Sequence, residues 1–178
     1  NCLTLKEAID ADELREVDGQ SYQSNVPRTM TELYKRAINI LLFRHHNKHK
    51  GKRIPKNYMI AKLPEHFQND LDLKKIARKG MIENRLVFEF QSDKYAELMD
   101  CGLINDLEDK RRNLFRFLHL TIQEFLAAQD VVDHMENVES FLSDHIDDPK
   151  WSLVIQFVAG LIGDKFKELE KEKNESER

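Results

Sequence analysis

The sequence predicts a mostly α-helical chain with one small β-hairpin, and three observations point to this fold class. Apolar residues recur at helical spacing in several segments. Helix-capping patterns stand before those segments. Two short apolar stretches flank a single charged tip, which is typical of a hairpin.

Length and composition limit what the chain can be. Its 178 residues fit one domain or two small ones, and 40% hydrophobic with 34% charged residues allow a core beneath an ionic surface. No apolar stretch approaches the roughly 20 residues of a membrane helix, so no membrane partner is expected. The net charge of -4 disfavours a nucleic-acid binder. Two cysteines exclude a disulfide framework and favour a reducing, cytoplasmic setting.

The first segment reads as the continuation of a longer chain, because it begins at Asn1 and shows no signal peptide. Residues 1–26 are predicted to be the end of a first helical domain followed by a linker. Pro27 closes this linker. Thr29-Met30-Thr31-Glu32 then forms a capping box, in which the first and last side chains satisfy free backbone N–H groups. The helix predicted behind it carries a stripe of apolar residues: Leu33, Ala37, Ile40 and Leu41.

The segment from Arg44 to Arg53 carries five positive charges, three histidines and no acid. We predict a solvated loop between helices, with a phosphate or nucleic-acid contact as the alternative. His45 and His49 have the spacing of a metal pair, but no carboxylate or thiol stands nearby to complete the ligands, so no metal site is expected. Gly51-Lys52-Arg53 lacks the upstream glycine and the following Ser or Thr of a P-loop.

A second helix is predicted from Asp72 to Asn84, with apolar and basic residues on different faces. Val87 to Phe90 follows as a short strand. Ser92 is predicted to cap a third helix through Leu98, and Gly102 to end it in a left-handed conformation.

The hairpin is predicted from two apolar segments, Leu103 to Leu107 and Leu114 to His119, around the charged tip 108–113. Helices followed by such a hairpin indicate a winged-helix domain, which we place at residues 27–120. The predicted fold class is therefore mostly α: a winged-helix subdomain with a small β-hairpin wing, followed by a helical domain.

The following helical domain is predicted at residues 121–165. Thr121-Ile122-Gln123-Glu124 is a second capping box, opening a helix that buries Ile122, Phe125, Leu126 and Val132. Asn137 is predicted to cap a short helix whose apolar residues are Val138, Phe141, Leu142 and Ile146. Asp148-Pro149 begins the last helix, whose apolar face comprises Trp151, Val154, Ile155, Val158 and Ile162. Residues 166–178 alternate acids and bases, which predicts a frayed helix or a disordered tail.

No catalytic constellation is present in the sequence, which lacks the Gly-x-Ser-x-Gly pattern and any cysteine-nucleophile signature, so the chain is not expected to be an enzyme by itself. One polar residue is oddly placed. His119 ends an aromatic strand and lies two residues before the predicted cap. A histidine at such a junction is usually structural, but its ring could also present an N–H to a phosphate held by a neighbouring domain.

At these residues the sequence resembles a known family. Residues 117–128 (FLHLTIQEFLAA) resemble the F-x-H-x-[ST]-[FI]-Q-E-[FY]-[FL]-A-A segment of NOD-like receptors, the NACHT branch of the STAND ATPases. Residues 27–34 resemble that family's P-x-T-x-T-E-L-Y entry into the winged helix. Residues 157–163 resemble its F-x-A-G-L-[IL]-G segment, so the resemblance spans about residues 27–165 in the right order.

The resemblance implies a role for His119 as a contact to the terminal phosphate of bound ADP in the closed, autoinhibited state. It implies that ADP or ATP is bound mainly by an upstream nucleotide-binding domain. It further implies a downstream leucine-rich repeat domain, a cytoplasmic location, homo-oligomerisation on activation and innate immune signalling. Gln123 and Glu124 match the motif too, but their places in the first helical turn suit capping and packing rather than ligand binding.

This sequence departs from the family pattern at Asn1-Cys2-Leu3, where Cys2 replaces a proline that contacts adenine in the family. Two other classes of function remain open at this point. A DNA-binding winged helix is supported by one basic helix and by Arg111-Arg112 in the hairpin tip; the residues of the helix are Lys74, Lys75, Arg78 and Lys79. A plain helical scaffold would need His119 only for stability.

Overall fold

The computed structural model describes residues 27–50, 73–89, 102–107 and 114–176. The helices, in chain order, are α1 (Met30–Lys50), α2 (Leu73–Glu83), α3 (Leu120–Asp133), α4 (Val138–His145) and α5 (Ser152–Ser176). The strands are β1 (Phe88–Glu89), β2 (Ile104–Asp106) and β3 (Leu114–Phe117). Two short 3-10 turns, Met135–Asn137 and Pro149–Trp151, precede α4 and α5. The mostly helical prediction is confirmed.

The three strands form one antiparallel sheet in the order β1-β3-β2. The predicted hairpin is present, with Ile104 opposite Phe117 and Asp106 opposite Phe115, while its tip lies outside the described residues. On the other edge, Phe88 stands opposite Phe115. The Phe88 ring lies 5.4 Å from that of Phe115 and 5.5 Å from that of Phe117, so alternate residues of the strands turn aromatic rings into the core.

Helix α1 begins with the predicted threonine cap, while the glutamate of the pattern reaches the backbone one residue before that cap. The Glu32 backbone N–H donates to Thr29 Oγ1 at 3.1 Å, and the Glu32 carboxylate accepts from the Arg28 backbone N–H at 2.9 Å. The loop predicted at Arg44 is wrong in its first part, because α1 continues through Lys50. Arg, Lys and His are compatible with helix, and the first helix-breaking residue in this segment is Gly51.

Helix α2 covers nearly the predicted range and buries one face. Its end is a Schellman motif: Asn84 takes the left-handed conformation with φ 55°, and the Arg85 backbone N–H donates to the Gly80 carbonyl at 2.8 Å. The helix predicted after Ser92 lies outside the described residues. Gly102 does take the left-handed conformation, with φ 77°. The buried residues of α2 are Leu73, Ala77, Gly80 and Met81.

Helix α3 lies at the centre, packed between α2 and α5 and also touching α1. Its predicted core residues are buried. The boundary between the two predicted domains falls at its first residues, yet α3 joins one hydrophobic core that includes Ile38 from α1, Phe115 from β3 and Val158 from α5. The described elements therefore share a single core across residue 120.

Three aromatic rings from distant parts of the chain meet beside α3. The ring of Tyr34 lies 6.1 Å from Phe125 and 5.4 Å from Phe157, and the last two are 5.1 Å apart. We call these three residues the aromatic junction. Tyr34 lies in residues 27–34, Phe125 in residues 117–128 and Phe157 in residues 157–163, so these three segments meet in the core.

The C-terminal helices begin where predicted, but Asn137, which precedes α4, makes no side-chain capping hydrogen bond. Asp148 accepts from the Lys150 backbone N–H at 3.0 Å, and Pro149 takes the first turn. In α4 the predicted apolar residue Ile146 is 64% exposed, because it follows the end of the helix and no longer faces the core. The charged segment predicted as a frayed helix or disordered tail is helical through Ser176.

Candidate functional site

His119 lies between the end of β3 and the start of α3, and it is exposed. Its backbone is extended, with φ −144° and ψ 146°, and it is the N-cap residue of α3. The preceding residue is fixed by the sheet, because the Leu118 backbone N–H donates to the Leu103 carbonyl at 2.9 Å. The His119 carbonyl accepts the first helical bond, from Ile122 N–H at 3.0 Å. The residue is thus held on both sides by regular structure.

The histidine ring itself caps the helix. Its Nδ1 accepts from the Thr121 backbone N–H at 3.2 Å and lies 2.9 Å from Thr121 Oγ1. A backbone N–H can only donate, so this contact favours the neutral tautomer that carries its proton on Nε2. Within the described part of the chain, Nε2 makes no hydrogen bond.

This geometry corrects the capping box predicted at Thr121. The ring nitrogen of His119 occupies the place that a Ser or Thr oxygen usually takes, and Thr121 becomes the second residue of the helix. Sequence reasoning missed both the capping role of His119 and the contact from Thr121. Histidine is not among the residues usually preferred at the N-cap. The one available signal for this role was a histidine between a strand and a helix, with a backbone donor two positions later.

Because the helix begins earlier than predicted, Glu124 lies further inside it, and no capping hydrogen bond of its side chain is seen among the described residues. Burial raises the pKa of the Glu124 carboxyl, and the nearby His119 ring partly opposes that rise. The predicted packing role of Gln123 is confirmed. Its side chain is 2% exposed and donates to the Arg85 carbonyl at 3.2 Å. A Cβ on Gly80 would lie 2.7 Å from that amide, so α2 and α3 approach closely here.

The surface on either side of His119 is apolar. Leu118 is 44% exposed and Leu120 is 47% exposed. Nε2 therefore belongs to an exposed ring flanked in sequence by two exposed leucines, with the Glu124 carboxyl near enough to interact with it electrostatically. A protonated Nε2 can bind an anionic or carbonyl oxygen, but the described residues offer no group of three metal ligands around it or elsewhere.

Two of the four basic residues of α2 form ion pairs with acids of α3. Lys74 Nζ lies 2.7 Å from Asp133 Oδ2, and Arg78 Nη1 lies 3.3 Å from Asp130 Oδ2. Because phosphate binding to DNA depends on basic side chains that can release counterions, this pairing weakens the case for a DNA-binding helix. Arg111-Arg112, the side chains of His45 and His49, and Cys2 all lie outside the described residues.

A cleft of about 170 Å³ lies between α1, α3 and α5, away from His119. Its charged side chains already bind one another or the backbone. Lys35 Nζ is 3.5 Å from Asp164 Oδ2, and Lys165 Nζ donates to the Val132 carbonyl at 2.9 Å. The cleft therefore offers little unsatisfied charge for a ligand.

Among the described helices, none combines the length and apolar character needed to cross a membrane. Comparison with models of known protein families finds no match for this chain. Comparison with curated proteins finds no match either.

Proposed function

We propose that this chain is the regulatory segment of a cytoplasmic NOD-like receptor, a winged-helix domain and the beginning of a second helical domain. In this role it holds the ADP-bound, autoinhibited arrangement and rearranges on nucleotide exchange, so that the whole receptor can oligomerise and signal in innate immunity. Nucleotide is bound mainly by an upstream nucleotide-binding domain, and a leucine-rich repeat domain follows downstream.

The observation that carries this proposal is the state of the His119 ring. Its Nδ1 is engaged by α3, its Nε2 makes no hydrogen bond within the described residues, and the residue is exposed. Bound ADP supplies terminal phosphate oxygens, which are strong acceptors for an Nε2–H donor. The motif of residues 117–128 places the family's phosphate-contacting histidine at this same position.

The fold connects a contact at His119 to the packing of the helices around it. His119 is continuous with α3, and α3 is packed against α2 through ion pairs and against α5 through the aromatic junction. A hydrogen bond at Nε2 therefore restrains a rigid group of elements rather than a loop. Loss of the bond releases that group, and the receptor's two arrangements differ in population accordingly.

The test uses the full-length receptor that contains this segment and compares two substitutions of His119. His119→Ala removes both the cap and the Nε2 donor, while His119→Asn keeps a favourable N-cap oxygen. The Asn side chain is too short for its amide N–H to reach the position of Nε2, so the donor is lost from that place. Both variants should lose ADP during purification at least tenfold faster than the wild-type protein, since a hydrogen bond to a charged group contributes about 1.5–3 kcal/mol. Both should raise signalling without ligand.

His119→Asn is the deciding variant because it should fold as stably as the wild-type protein. Unchanged ADP retention and unchanged basal signalling in His119→Asn would reject the phosphate contact. If only His119→Ala is affected, His119 serves the stability of α3, as the scaffold interpretation holds. A Gly-x-x-x-x-Gly-Lys-[Ser/Thr] sequence upstream would independently support the family assignment.

A further inference from the structure

The two nitrogens of the His119 ring have separate partners, and this separation has a chemical consequence. Nδ1 lies within hydrogen-bonding distance of two donors of the same residue, the backbone N–H and the hydroxyl of Thr121. The backbone N–H can only donate, so it favours the tautomer that carries its proton on Nε2, and in that tautomer the Thr121 hydroxyl can donate to the same nitrogen.

We propose that Thr121 is a positioning residue for His119: it fixes the ring as an Nε2–H donor and fixes the direction in which that donor points. The inference rests on the proposed function for the identity of the ligand, a terminal phosphate oxygen of ADP. The tautomer and the orientation, in contrast, are properties of this chain alone.

A locked tautomer determines which ligands the corner can accept. A ring with its proton on Nε2 offers a donor and no acceptor there, so it selects an atom with a free lone pair and rejects groups that can only donate, such as an amide N–H or an ammonium group. It also leaves no free nitrogen for a metal ion, because Nδ1 faces the helix and Nε2 is protonated. The corner is therefore specific for an acceptor such as a phosphate oxygen.

The chain contains an internal reference with the opposite tautomer. His134 Nδ1 lies 2.8 Å from the Asp130 backbone carbonyl. A carbonyl oxygen can only accept, so Nδ1 of His134 carries a proton, and in the neutral ring Nε2 does not. We therefore expect opposite neutral tautomers for His119 and His134, and both can be measured in one sample.

The experiment is a long-range proton–nitrogen NMR spectrum of the histidine rings of this 178-residue chain, recorded at alkaline pH where imidazole is neutral. His119 should show an unprotonated Nδ1 and a protonated Nε2, and His134 should show the reverse. The His119→Asn variant identifies the resonances of His119, because they disappear. Averaged nitrogen shifts for His119, or a protonated Nδ1, would overturn the inference.

Two substitutions of Thr121 test its part in the lock. Thr121→Val keeps the size of the side chain and the backbone N–H but removes the hydroxyl, whereas Thr121→Ser keeps the hydroxyl. Thr121→Val should move the His119 nitrogen shifts toward the averaged values of a free imidazole, and Thr121→Ser should leave them in place. Identical His119 shifts in all three proteins would overturn the positioning role of the hydroxyl.

These spectra contain no nucleotide, so they separate this inference from the proposed function. A locked Nε2–H tautomer together with normal ADP retention in His119→Asn would support the positioning role and reject the phosphate contact. Averaged nitrogen shifts for His119 in the wild-type chain, together with rapid ADP loss from the His119→Asn receptor, would reject the positioning role and support the phosphate contact.

Discussion

The starts of α1 and α3 invite comparison, because both carry the pattern Thr-x-x-Glu. At α1, Thr29 caps the helix and the Glu32 carboxylate turns back to the Arg28 backbone. That bond and the positive charge of Arg36 hold the pKa of Glu32 below its ordinary value. At α3, His119 takes the cap and the pKa of Glu124 is raised by burial. One pattern yields two opposite electrostatic outcomes.

The difference shows that the register of a helix start depends on every acceptor in reach, not on the four residues of the pattern. At the start of α1, the polar side chains of the pattern bind backbone N–H groups at the same helix end. At the start of α3, one ring nitrogen of His119 binds the helix, and the other makes no hydrogen bond within the described residues. The first arrangement serves stability, while the second adds an exposed donor to the surface.

Both starts are also packed against a glycine, and the packing at α1 is the tighter. A Cβ on Gly160 of α5 would overlap Thr31 in the first turn of α1, including its Cβ at 2.8 Å. We expect Gly160→Ala to lower the free energy of unfolding by about 1–3 kcal/mol, because a β-branched side chain cannot swing away. Chemical denaturation of this chain measures the change.

The matched control for that prediction stands three residues later on α5. A Cβ on Gly163 would meet nothing within 4 Å, so Gly163→Ala should be neutral or should stabilise the helix by about 0.5–1 kcal/mol. Equal stability of the Gly160→Ala and Gly163→Ala variants would show that α1 and α5 do not approach as closely as described.

A smaller effect distinguishes the two threonines. Thr29→Ala removes the cap of α1 and should lower the free energy of unfolding by about 1 kcal/mol. Thr121→Ala should have less effect, because the ring of His119 still accepts from the backbone N–H at that position. Denaturant titrations of both variants measure the two losses in the free energy of unfolding. Equal losses for Thr29→Ala and Thr121→Ala would mean that the Thr121 side chain caps α3.

The smallest effects concern the two glutamates and have opposite signs. The pKa of Glu32 is lowered from an ordinary value of 4.5, so its ionised form stabilises the fold above that pH, and this contribution disappears as the pH falls through the lowered pKa. The pKa of Glu124 is raised, so its ionised form destabilises the fold above the raised pKa, and the penalty disappears as the pH falls toward 4.5.

At pH 7 we therefore expect Glu32→Gln to lower the free energy of unfolding and Glu124→Gln to raise it. Each change should be roughly 0.2–0.5 kcal/mol, because both carboxyls are partly solvated. Near pH 3 both differences should shrink. Urea titrations at the two pH values measure them, and a stabilisation of the same sign for both variants would refute the comparison.

The sequence predicts α1 because its cap uses a threonine, and it predicts the hairpin because apolar stretches flank a charged tip. It misplaces the start of α3, because a histidine nitrogen becomes a cap only when the end of β3 holds the backbone extended. It gives no hint that Thr31 touches Gly160, since that contact depends on how two distant helices cross. The position of His119 was predicted, but the use of its two nitrogens required the geometry.

The aromatic junction bears on how sequence variants of this chain should be interpreted. Tyr34, Phe125 and Phe157 belong to the segments that resemble a receptor family, yet each ring supports the others in the core. Inherited or engineered changes at these three positions should reduce the amount of folded protein in cells. Under the proposed function, a regulatory phenotype at unchanged abundance would point instead to His119 and its neighbours, so protein level and signalling need to be measured together.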